Sequence, residues 1–241
     1  MSKIQKAFEG KKAFIPFITC GDPDLETTEQ LVYAMEKAGA ALIELGIPFS
    51  DPTAEGPVIQ DANIRALSRG VTTDKIFDME EKIRKNTQIP LVFMTYANVV
   101  FSYGAERFIK KAAEIGMDGL ILPDVPYEEK EEFDGICKQY GLDLVSLIAP
   151  TSHDRIKMIA KDASGFIFSW GNRNKKRDHN RYRSYGESCK RSNRSPMRSR
   201  IRNLYTRTGS KNVRVCRRSN RRKRNCENLC KIRKRLRAVC S

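Results

Sequence analysis

At 241 residues the chain has the length of one α/β domain, and its formal net charge of +16 is unevenly placed. Residues 171–241 hold 26 Lys and Arg against 3 Asp and Glu, while residues 1–170 hold 19 against 26, so a mildly acidic body precedes a very basic tail. No apolar run approaches the roughly 20 residues of a membrane span, and Met1–Gln5 lacks the apolar core of a signal peptide. The expectation is a cytoplasmic chain with reduced thiols and no membrane partner.

In chain order, strand-like runs fall at Ala13–Thr19, Ala41–Ile47, Pro90–Met94, Gly119–Leu122, Leu144–Ala149 and Gly165–Phe168. They are almost continuous in Val, Ile, Leu and Phe, which predicts strands buried on both faces of a parallel sheet. Helical stripes lie between them. Leu31, Met35 and Ala38 precede Gly39; Phe108, Ala112 and Ile115 precede Gly116; Phe133, Ile136, Cys137 and Tyr140 precede Gly141. Each glycine stands where a left-handed helix end is wanted. Six strand–helix units suit either an open doubly wound sheet or an unfinished eight-unit barrel. Two more units would nearly fill the remaining length, which favours the barrel.

The densest chemical signal is the segment from Leu42 to Pro57. Glu44 lies inside an apolar strand, where an ionised carboxylate is expensive unless it is used. Burial raises a carboxyl pKa, which suits a group that takes and returns protons near neutrality. Glu55 follows in a loop rich in Pro and Gly, on the side where barrel enzymes keep their sites. The two carboxylates form a candidate acid/base pair; an interior Glu paired with Lys or Arg fits the Glu44 pattern equally well.

This segment resembles the signature of the tryptophan synthase α chain. So do Pro16–Asp24 after the first run, Phe93–Asn98 after the third, Leu122–Pro126 after the fourth and Ile148–Thr151 after the fifth. The resemblance covers residues 1 to about 168 and implies a (β/α)8 TIM barrel, a heterotetrameric lyase of tryptophan biosynthesis. The implied reaction is retro-aldol cleavage of indole-3-glycerol phosphate to indole and glyceraldehyde 3-phosphate, with no cofactor and no metal. Glu44 matches the acid/base position. Glu55 falls where the family usually has Asp, facing the indole N–H. Phe17 and Tyr96 match indole-pocket positions, although both also read as packing aromatics. Pro48, Phe49, Ser50, Asp51 and Pro52 resemble the loop facing the β chain in the α2β2 assembly. Phe168 stands where the family carries a Tyr.

After Gly171 the periodicity stops, and Asn172–Asn203 contains no apolar run of three residues. Such a segment cannot offset the entropy of ordering itself, and disorder is expected over 169–241. Cys226 and Cys230 have a metal-like spacing but lack a second pair, with His153 and His179 the only histidines. As a genuine extension the tail would bind nucleic acid without sequence preference, making the chain a nucleic-acid-binding fusion. A shifted reading frame explains more. Regrouping permissible codons by one base from Asn172 gives T-G-I-R-S-E-I-T-T-D-I-G; from Ser199 it gives V-G-F-G-I-S-T-P, and from Arg218 G-A-I-V-G-S-A-I-V-K-I. These resemble, in order, the family's closing loop and its seventh- and eighth-strand phosphate turns. Six of eight units are then encoded, leaving the first and sixth strands with open edges.

Overall fold

The computed structural model describes residues 2–9, 13–148 and 155–169, and the backbone of three short segments, 197–198, 201–203 and 214–216. Its strands are β1 (Phe17–Thr19), β2 (Ile43–Gly46), β3 (Leu91–Met94), β4 (Gly119–Ile121), β5 (Asp143–Ile148) and β6 (Ser164–Ser169). All pair in parallel, and their spatial order is their chain order. A doubly wound sheet reverses at a switch point. Winding in one sense without reversal is that of a (β/α)8 barrel, here a partial one. Each strand falls on one expected apolar run; β5 and β6 begin one residue earlier, at Asp143 and Ser164.

The helices are α1 (Lys3–Lys6), α2 (Leu25–Lys37), α3 (Pro57–Ser68), α4 (Thr73–Arg84), α5 (Ala97–Tyr103), α6 (Ala105–Glu114), α7 (Glu131–Tyr140) and α8 (Ile156–Lys161). Their ends follow from local chemistry. The Asp24 carboxylate accepts the Thr27 N–H at 2.7 Å at the start of α2, and Thr72 accepts the Lys75 N–H at the start of α4. At the far end of α7, Gly141 adopts φ 77°, a left-handed turn costly for any residue with a Cβ.

Alternation along the strands divides the core into two layers. Ile18, Ile43, Leu45, Leu91, Phe93 and Leu120 point outward against helix residues such as Leu31, Met35, Phe77 and Phe108. Phe17, Leu42, Val92, Met94, Ile121, Val145, Phe166 and Phe168 point into the barrel and form a second cluster. Helix α1 stops the end of the barrel at which the strands begin. Its Ile4 is fully buried, Phe8 packs on Phe166 at 5.4 Å, and Gly119 leaves room for the Ile4 methyl, which would lie 3.0 Å from a Cβ there.

At the same end, Arg84 donates to Asp118 at 2.8 Å and to the Ile89 carbonyl at 2.6 Å. Asp118 in turn accepts the Leu91 N–H at 3.0 Å, pinning the start of β3. Glu80 is wholly buried beside this group, with Arg84 Nε 3.6 Å from its carboxylate. Burial pushes the Glu80 carboxyl up from 4.5 to about 7, the Arg84 charge opposing the shift.

The expected open edge of β6 is corrected by the structure. A two-residue strand, β7 (Met197–Arg198), pairs in parallel with Ile167 and Phe168. An unpaired row of N–H and C=O groups is a template for whatever chain is near, and the tail supplies one. Strands β8 (Ile201–Asn203) and β9 (Arg214–Cys216) form an antiparallel pair. The expectation of disorder over the rest of 169–241, and the Cys226–Cys230 and His153 readings, lie outside the described residues. Among the described residues no helix is long and apolar enough to cross a membrane, and no cluster of His, Cys, Asp and Glu could hold a metal ion.

Candidate active site

Glu44 is the one acidic residue of the inner barrel layer that the strands β1 to β4 carry. It stands two positions after Leu42, the residue that precedes β2, and shares its inward face, and its exposure is 0 %. Its strand neighbours at the same level are Phe17 on β1 and Val92 on β3. The wall around it is apolar and aromatic, with Met94, Ile121, Phe166 and Phe168 in the same cluster.

Gly46 explains how the Phe17 ring fits there. A Cβ on Gly46 would lie 2.5 Å from Phe17 Cζ and 3.3 Å from the Ile18 carbonyl. The glycine is therefore the seat of the ring, one pleat nearer the C-terminal mouth than Glu44. Thr19, the strand partner of Gly46, also lies on the inner face of β1. Its hydroxyl is buried with no hydrogen-bond partner among the described residues. Reading the sequence alone did not single out Thr19, since one threonine in an apolar run carries no signal of its direction.

Glu55 is half-buried and lies immediately before Gly56, the residue that opens α3. Pro57 at the first helical position fixes the turn into the helix, and Gln60 Nε2 donates to the Glu55 carbonyl at 3.0 Å. Tyr96, at the end of β3, is 5 % exposed, and its hydroxyl accepts the Ala54 N–H at 2.9 Å. Its ring packs on Phe49 at 5.3 Å. The candidate residues Glu55, Tyr96 and Phe49 are thus brought to one rim of the barrel.

The segment from Pro48 to Pro52 is not uniformly at the surface. Pro48 is buried and Phe49 half-buried, while Ser50 and Asp51 are exposed. Pro48 and Phe49 border a cleft of about 350 Å³ shared with Thr72, Ile76, Asn98 and Tyr103. The loop after β1 is clamped from the neighbouring unit. Arg65 on α3 makes two hydrogen bonds to Asp22, each 2.8 Å, and Arg69 reaches the Pro23 carbonyl at 2.7 Å.

The arrangement is a buried carboxylate over an aromatic wall, with a second carboxylate on the adjoining loop. The family model for the tryptophan synthase alpha chain matches residues 3–174. The tryptophan synthase alpha chain of Alkaliphilus metalliredigens is 58 % identical over 168 residues, 69 % of this chain and 63 % of that protein. That of Lacticaseibacillus casei is 52 % identical over 168 residues, 70 % of this chain and 63 % of that protein. The chain therefore spans a little under two thirds of the length of these relatives. In structure it is similar to tryptophan synthase subunit alpha from Legionella pneumophila, with a TM-score of 0.74, 35 % identity, and coverage of 82 % of this chain and 77 % of that one. The Pyrococcus furiosus tryptophan synthase complex gives a TM-score of 0.68 at 34 % identity, covering 76 % and 75 %. With sequence, winding order and inner-face carboxylate in agreement, this chain belongs to the tryptophan synthase alpha chain family.

Proposed function

We propose that the encoded enzyme is a carbon–carbon lyase that cleaves indole-3-glycerol phosphate to indole and glyceraldehyde 3-phosphate. The observation that carries this reading is the position of Glu44, fully buried on the inner face of β2 opposite Phe17. Indole is flat and apolar, and the wall formed by Phe17, Met94, Ile121 and Phe168 matches it. Glu44 protonates indole C3, and Glu55 takes the hydrogen bond of the ring N–H. The bond from C3 to the side chain then breaks, its electron pair returning to the indole ring. The side-chain hydroxyl gives its proton to the Glu44 carboxylate, restoring the acid, and its carbon becomes the aldehyde. Every atom of the substrate is accounted for in the two products, and no cofactor enters.

The released indole passes to a β chain in an α2β2 assembly, with the loop from Pro48 to Pro52 on the partner side. Support for the assembly comes from a relative, the Pyrococcus furiosus protein, described as an a2b2 complex with mutual activation. Within that loop Ser50 and Asp51 are the exposed polar contacts.

The basic tail reads as a shifted frame, and the support is the regrouped codons together with the point at which similarity to the family stops, residue 174. On this reading the phosphate-binding turns are encoded in the gene but absent from the chain, and the chain itself cleaves its substrate at a small fraction of a normal rate. The test is direct. The nucleotide sequence around codons 165–172 is determined, the frame is restored, and both chains are assayed for indole release. Restored activity with a nearly silent parent is the expected result. A parent chain that turns over at an ordinary rate overturns the impairment, and a restored chain without activity overturns the enzymatic reading.

A further inference from the structure

We infer that Tyr96 is a positioning residue for Glu55, acting through the Ala54 amide, and that Asp124 in turn holds Tyr96. The inference rests on Glu55 being a site carboxylate, as proposed above. Three consecutive βα loops are joined in series at the C-terminal rim. The Tyr96 hydroxyl accepts the Ala54 N–H at 2.9 Å, across 42 positions of sequence, immediately beside Glu55. Tyr96 is itself the residue that opens α5, a helix that has no capping bond from its own N-terminal side chain. The bond comes instead from the loop after β4, where both Asp124 oxygens accept the Ala97 N–H at 3.1 Å.

A loop rich in Pro and Gly has few means of fixing its own backbone. The neighbouring residue Thr53 is exposed, whereas the Ala54 amide ties the loop to the residue that opens α5. Tyr96 is suited to the task because it is almost immobile. It lies two positions beyond the end of β3, is 5 % exposed, and packs its ring on Phe49 of the same loop, so one buried side chain grips the loop both at Phe49 and at Ala54. A carboxylate one residue away inherits that precision, and a catalytic group displaced by about 1 Å loses roughly a hundredfold in rate. The same ring couples the buried half of the segment from Pro48 to Pro52 to Glu55, so a change felt at Phe49 reaches the site through one side chain.

The experiment is hydrogen exchange of the full chain, read residue by residue, on the parent, Tyr96→Phe and Asp124→Ala. In the parent, Ala54 exchanges more slowly than Thr53. Tyr96→Phe keeps the ring and removes the acceptor, and it accelerates Ala54 by about tenfold, the equivalent of one net hydrogen bond. Amides of β3 and α6 keep their parent rates, which separates positioning from general loosening. The exposed Asp124→Ala change accelerates Ala97 and, to a smaller degree, Ala54, and provides the test should Tyr96→Phe not fold. Parent Ala54 as fast as Thr53, or acceleration spread evenly over the sheet, overturns the inference. Indole is the probe in a second arm: it slows Ala54 in the parent and not in Tyr96→Phe. Failure of indole to bind the parent counts against the reading of the pocket and leaves the exchange result of the first arm to stand or fall by itself.

Discussion

Single residues carry most of the chemistry. Glu44→Gln keeps the volume and removes the proton-transfer group. In the frame-restored chain it is expected to lower indole release at least a hundredfold with the fold intact, as measured by steady-state rates alongside circular dichroism. Gly46→Ala tests the seat of the Phe17 ring: a Cβ at 2.5 Å from the ring edge forces it to move. We expect a loss of about 1–3 kcal/mol in urea unfolding, typical of an overfilled core, and weaker indole binding. Glu80 gives a pH signature away from the site. Unfolded, its carboxyl ionises near 4.5; folded, it ionises near 7. Below the lower value both states hold the proton. Between the two values only the folded chain keeps it, so stability falls as pH rises, and the loss is complete above about 7. The total is of order 3 kcal/mol. Glu80→Gln should flatten this fall relative to the parent when urea midpoints are compared from pH 5 to 8. Parallel curves for the two proteins refute it. The groups facing Glu80 are Arg84, Asp118, Cys20 and Tyr33, and of these only Arg84 favours its charged form.

Elements show which parts of the molecule could be read in advance. The six strands were legible because each is apolar on both faces, and the helices α2, α6 and α7 because a glycine stops each stripe. The same double-faced burial hides direction. In Ile43-Glu44-Leu45-Gly46 nothing but the charge and the missing side chain tells the inner face from the outer. The short helices were harder. Helix α1 has four residues, with no room for a stripe, and owes its place to the buried Ile4 and a capping box between Ser2 and Gln5. Cutting Ile4 to Ala removes the plug at the end of the barrel where the strands begin, with an expected cost of about 2–5 kcal/mol in urea unfolding. A loss below about 1 kcal/mol would show that α1 is only loosely seated. The link from Tyr96 to Ala54 was invisible for another reason: the partners are 42 residues apart, and no local pattern announces a bond between two loops.

At the scale of the whole molecule, the division into an acidic body and a basic tail was plain from charge alone, but what the tail does to the sheet was not. An edge strand accepts any extended backbone, and β7 shows that a segment with no family pattern can still pair with β6. The frame-restored chain should unfold cooperatively at a higher urea midpoint than the parent and stay soluble at concentrations where the parent precipitates. Equal midpoints and equal solubility would mean that the missing units add little to the body.

The strand order has a consequence for how such a chain is made. Because each strand pairs with the one translated just before it, the sheet grows in the direction in which the ribosome delivers it. By the time translation passes Ser169, five adjacent strand pairings, from β1 with β2 to β5 with β6, have all their residues in hand. An error in decoding after that point arrives too late to disturb them. On the proposed shift of frame, these five pairings stay encoded, and the pairing that goes missing is that of β1 with a last strand, the one that closes a (β/α)8 ring.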